Sequence, residues 1–69
     1  MKISARNVLK GKVVRVTAGA INTEVVIELA GKDQIISIIT KESAENLKLR
    51  RGKVAYAVIK ASNVMIAID

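Results

Sequence analysis

Five short runs rich in valine and isoleucine follow one another along this chain, punctuated by glycine and never by proline. They cover residues 13–17, 24–29, 34–40, 54–60 and 64–68. β-Branched side chains at that density, in runs of that length, read as strands. In the second run Val25, Ile27 and Leu29 share one face, and Glu24, Val26 and Glu28 share the other. In the third, Ile35 and Ile39 flank Ser37 on one face while Ile36 and Ile38 fill the opposite one. A strand that is apolar on both faces needs cover on both. The whole chain has 69 residues, a single domain over 1–69, and a chain so short buries only about 60% of the surface that its unfolded form exposes. One barrel interior covers one face. The other asks for a second copy of the chain, so the sequence predicts an oligomer.

The connections are legible too. Ala30–Asp33 reads as a hairpin between the second and third runs, and Thr17–Asn22, with Gly19 inside it, as the turn between the first and second. Lys41–Leu47 is different in kind: helix formers follow Thr40, a competent N-cap, and Glu42 sits where the helix dipole favours a carboxylate. That stretch predicts one helix of two turns at most, and Gly52 marks the turn after it. Five strands with one short helix between the third and fourth predict an all-β fold, a five-stranded Greek-key barrel of the OB type.

Composition excludes most chemistry. There is no cysteine and no histidine, so no disulfide, no thiolate metal site and no imidazole base. The 6 carboxylates are scattered, so they do not gather the oxygen ligands that a metal cation needs. No glycine-rich nucleotide motif is present. The sequence therefore predicts a protein that is not an enzyme and holds no cofactor. No signal-peptide h-region and no membrane-length apolar run are seen, so the expected location is the cytoplasm with no membrane partner. Lys and Arg number 12 against 6 Asp and Glu, a net charge of +6, which favours an anionic partner. Nucleic acid is the obvious polyanion for an OB-type barrel, and a nucleic-acid-binding domain is the alternative reading. Such domains stack bases on aromatic platforms, and Tyr56 is the only aromatic residue here. No nucleic-acid partner is expected.

What remains is hydrogen-bond donors. Ser4, Arg6 and Asn7 open the chain; Lys60, Ser62 and Asn63 end the fourth run; Thr40 and Ser43 flank the helix start. Each is commonplace alone. Together, Ser4-Ala5-Arg6-Asn7, Leu9-Lys10-Gly11, Asn22-Thr23-Glu24-Val25, Ile38-Ile39-Thr40 with Ser43, Ala57-Val58-Ile59-Lys60-Ala61-Ser62 and Val64-Met65-Ile66-Ala67 resemble the molbindins. These are the small molybdate-binding Mop proteins, whose module is called TOBE when it is attached to molybdate transporters or repressors. The resemblance spans essentially the whole chain.

It implies an OB-like barrel assembled as a homohexamer, a trimer of dimers, with tetrahedral oxyanions held between subunits. Carried onto matching positions, it implies donors from Ser4, Ala5 and Arg6 and from Lys60, Ala61 and Ser62, with Thr40 and Ser43 coming from a neighbouring subunit. It also implies a further class of site on the symmetry axes, for which Gly19, Ala20 and Asn22 are the candidates. The implied ligand is molybdate or tungstate and the implied role molybdenum storage and homeostasis. The donor set agrees with that. Molybdate at neutral pH is a fully deprotonated dianion that only accepts hydrogen bonds, whereas phosphate carries a proton that needs an acceptor. Leaving a buried polar group unpaired costs about 1–3 kcal/mol.

Overall fold

The computed structural model describes Met1–Asp69. Four strands form one antiparallel sheet: β1 (Asn7–Ala18), β2 (Asn22–Leu29), β3 (Gln34–Thr40) and β4 (Val54–Ile59). Helix α1 (Lys41–Asn46) lies between β3 and β4, and a 3₁₀ turn (Ala61–Asn63) follows β4. The spatial order is β3-β2-β1-β4. Three hairpin-connected strands, with the fourth returning beside the first, make a Greek key, so the all-β, one-helix reading holds.

The strand count does not. The sheet curls into a half-barrel of four strands, not a closed barrel of five. Val64–Ile68 belongs to no strand, and Met65, Ile66 and Ile68 are 93%, 89% and 92% exposed. β-Propensity is a statement about pairing surfaces rather than about isolated backbone. After the 3₁₀ turn this tail leaves the body of the molecule and meets no ladder, so its valine and isoleucine have nothing to pair with.

The first strand is longer than its β-branched stretch suggests, because residues 7–12 pair with β4 from Asn7↔Ile59 to Lys12↔Val54. Gly11 is a strand residue rather than punctuation. A Cβ placed there would lie 2.5 Å from Ile27 Cγ2 and 2.7 Å from the Glu28 carbonyl, so the close approach of β2 demands glycine. The register with β2 shifts between Val13 and Arg15. That bulge lets Val13 and Val16, three apart, both pack into the core. The core is Val13, Val25, Ile27 and Ala57, with Ile35, Ile39, Leu49 and Ala55 against it. Only 7 of 69 residues are buried, so most apolar side chains remain open to whatever covers them. On β3, Ile36 and Ile38 are exposed on the outer face. On the inner side, Val25, Ile27, Ile39, Leu47, Leu49 and Tyr56 line an open apolar cleft of about 400 Å³.

Candidate functional site

The predicted donors fall into two groups, and β1 decides where each group sits. At the start of β1, Asn7 pairs with Ile59 at the end of β4, and the Asn7 side-chain amide donates to the Ile59 carbonyl at 3.3 Å. Ser4, Ala5 and Arg6 lead into that pair and Lys60, Ala61 and Ser62 lead out of it, so the two segments share one end of the sheet. Lys60 is the N-cap of the 3₁₀ turn, and the Lys60 carbonyl accepts from the Asn63 amide at 2.9 Å. A turn this short offers its first amides, those of Ala61 and Ser62, no partner within itself. Arg6, Lys60 and Ser62 are exposed, and Ala5 is half-buried.

The second group occupies the other end. Asn22, which opens β2, pairs with Thr40, which closes β3. The Lys41 amide donates to the Ile21 carbonyl at 2.8 Å, and the Gly19 amide to the Asn22 carbonyl at 2.8 Å. Thr40 caps α1: its Oγ1 accepts the Ser43 amide at 3.1 Å and donates to Ser43 Oγ at 2.8 Å. Gly19, Ala20 and Asn22 therefore lie beside Thr40 and Ser43 rather than at a place of their own. Lys41 and Glu42, both exposed, put one cation and one carboxylate at the same helix start.

β1 runs 12 residues between the two ends, about 36 Å of strand at the usual rise. The longest dimension of the molecule is 35 Å. A single tetrahedral oxyanion is far too small to touch both groups within one chain. Each end presents hydroxyl, cationic and amide donors and is open to solvent.

Asn7, read from the sequence as one more donor, instead spends its amide on the Ile59 carbonyl and locks the Arg6 arm against the end of β4. One residue belongs to this description that the donor inventory did not include: Lys41 brings a cation next to Ser43, and nothing in its sequence context separates it from a solvated helix residue.

The comparisons agree with one another. A family model described as the TOBE domain matches residues 3–66. The molybdenum-pterin-binding protein 3 of Clostridium pasteurianum is 53% identical over 66 residues, covering 96% of this chain and 97% of that one. Among solved structures, MopII of Clostridium pasteurianum in an apo form superposes with a TM-score of 0.92 at 48% identity, covering 97% of this chain and 100% of the other. The cytoplasmic molybdate-binding protein ModG, with molybdate bound, superposes with a TM-score of 0.91 at 48% identity, covering 94% of this chain and 46% of that one.

Proposed function

This chain belongs to the TOBE domain family, in the group of small molybdenum-pterin-binding proteins, and from that premise we propose that it binds molybdate between subunits of a homohexamer. The observation that carries the proposal is the separation of two donor-rich half-sites by the length of β1. Ser4, Ala5, Arg6, Lys60, Ala61 and Ser62 of one subunit would face Thr40 and Ser43 of a neighbour. Arg6 and Lys60 offset the double negative charge. The hydroxyls and the Ala61 and Ser62 amides donate to the oxygens. Gly19, Ala20 and Asn22, placed beside Thr40, would line a second anion position near a symmetry axis.

Assembly is supported independently by how little of the chain is buried. The Val64–Ile68 tail and the outer isoleucines of β3 are exposed, and the inner cleft is open. Copies of the chain covering one another would remove this apolar surface from water at about 25 cal/mol per Å². Cytoplasmic storage and homeostasis of molybdenum is the role that fits a chain with donors and no catalytic group. The names of relatives pair molybdenum with a pterin; the donor set here suits the bare oxyanion, and tungstate, of similar charge and shape, should enter the same sites.

Calorimetric titration, with native mass spectrometry for stoichiometry, tests the proposal. Molybdate and tungstate should compete for one set of sites, and phosphate should bind at least tenfold more weakly, the factor expected for one unmatched proton. Equal affinity for phosphate and molybdate would show an acceptor in the site and overturn the donor assignment.

A further inference from the structure

Helix α1 has 6 residues, too few to hold itself together in water, where isolated helices below about 12 residues are marginal. Its first end is fixed by the Thr40 cap. Its second end has no basic residue in the last turn, and the chain leaves it through Lys48, whose φ of 52° lies in the left-handed region that non-glycine residues seldom adopt. The Lys48 and Leu49 amides turn back to the Glu45 and Ala44 carbonyls at 3.0 and 3.2 Å and close the last turn; something still has to satisfy the Leu47 and Lys48 carbonyls just beyond it.

Lys53 does so. Its Nζ donates to the Leu47 carbonyl at 2.6 Å and to the Lys48 carbonyl at 3.3 Å. Its backbone is tied down in turn: the Lys53 carbonyl accepts from the Val13 amide at 2.8 Å, and the neighbouring Gly52 amide donates to the Val13 carbonyl at 2.8 Å. Val13 is fully buried at the centre of the core. Gly52 takes a φ of 93° to make that connection, a conformation that glycine adopts without strain. An unbroken chain of contacts thus runs from the core, through Lys53, to the C-terminal end of α1. At the opposite end of that helix stand Thr40 and Ser43.

We infer that Lys53 is a positioning residue for anion binding: its ammonium clamps the end of α1 to the Val13 region of β1 and so fixes where the Ser43 hydroxyl points. Lys53 does not touch the anion. The inference rests on the binding role proposed above for Ser43. A charged donor on two carbonyls is the strong class of hydrogen bond, and with it gone the turn that closes α1 loses its tie to β1, so that α1 keeps only its Thr40 cap, its closing turn and the packing of Ala44 and Leu49, and gains freedom to move. An anion would then have to order the helix before using it.

Three variants and two readouts decide the matter. Lys53→Met keeps the aliphatic stem and removes the clamp; Lys53→Arg restores a charged donor; Lys12→Met removes a charge from an exposed position of β1 without touching α1. Calorimetry should show molybdate affinity falling about tenfold in Lys53→Met, the size of one charge-assisted bond. It should recover most of the way in Lys53→Arg and stay within about twofold in Lys12→Met, as for a screened surface charge. Amide hydrogen exchange should quicken at Leu47, whose amide donates to the Ser43 carbonyl, and stay unchanged at Val25 in the core. Unchanged exchange at Leu47 in Lys53→Met would overturn the clamp, as would equal acceleration at Leu47 and Val25, which reports global loosening. If the wild-type protein fails to bind molybdate, the proposed binding role falls, while the exchange contrast still decides whether Lys53 holds the helix.

Discussion

Thr40 Oγ1 lies 2.8 Å from Ser43 Oγ and also receives the Ser43 amide at 3.1 Å. One hydroxyl hydrogen lies between these two oxygens, and the other has no partner in the chain. Because Thr40 Oγ1 already accepts the Ser43 amide, donation from Thr40 to Ser43 shares the acceptors evenly and leaves the Ser43 hydroxyl hydrogen outward. In the proposed site that hydrogen meets the anion, and Thr40, whose bond polarises it, acts through Ser43.

This arrangement sets an order of effects. Ser43→Ala should weaken molybdate binding by about 0.5–1.5 kcal/mol, the worth of a neutral hydrogen bond. Thr40→Ser should leave affinity nearly unchanged, because the cap and the relay both survive. Thr40→Val should cost both binding and thermal stability, since loss of an N-cap alone is worth about 1 kcal/mol. Calorimetry and thermal melts on the three variants check this. Thr40→Ser weakening binding as much as Ser43→Ala would count against the relay.

The proposed division of the site between subunits makes a complementation test available. Lys60→Ala should weaken molybdate binding by about 1.5–3 kcal/mol, the range for a charged hydrogen bond. Mixing Lys60→Ala chains with Thr40→Val, Ser43→Ala chains, by unfolding and refolding them together, should restore some intact sites. Mixed assemblies that recover no tight sites, from parents that each assemble, would place every donor of a site in one chain.

The exposed tail predicts an assembly defect. Ile66→Asp puts a charge on an apolar segment that is open in the single chain, so it costs an isolated subunit little. If the tail is buried between copies, the charge is strongly unfavourable there. Light scattering at micromolar concentration should find a smaller particle than the wild-type protein forms. A particle of unchanged mass would mean that the tail is no part of the interface.

Gly11 offers a check on the fold alone. Gly11→Ala inserts a methyl group where Ile27 and the Glu28 carbonyl already stand. Overpacking of this kind costs about 1–3 kcal/mol, and a thermal melt should show a drop of several degrees or more. A melting temperature equal to wild type would mean that β1 and β2 separate more easily than their register suggests.

Much of this was legible in the residues. Val25, Ile27 and Leu29 alternate cleanly, and Thr40 with Glu42 announces a helix start; both features are local, and both held. Residues 7–12 were not legible as strand, because Asn7, Lys10, Gly11 and Lys12 have weak β-propensity and become a strand only through pairing with β4. The tail failed in the opposite direction: Val64, Ile66 and Ile68 have the propensity and lack the partner. At the candidate site, the donor types were readable from the sequence. Their division between the two ends of β1 was not, since it depends on which residues the sheet brings together. The coupling of Lys53 to the end of α1 was equally hidden, because a lysine seven residues past a helix carries no local mark of what it bonds to.

The bulge between Val13 and Arg15 has a consequence for how the gene can change. Surface loops absorb single-residue insertions and deletions easily, and here a strand carries one residue of slack. Deleting Val14 would remove the extra residue and leave Val13 opposite Ile27, Arg15 opposite Val26 and Val16 opposite Val25, each on its present face. In β2, which has no such slack, a single lost residue would turn every side chain beyond it to the other face. A frame-preserving loss of three nucleotides therefore has opposite consequences on the two strands that meet at the bulge, and mutational drift in length is confined to one of them.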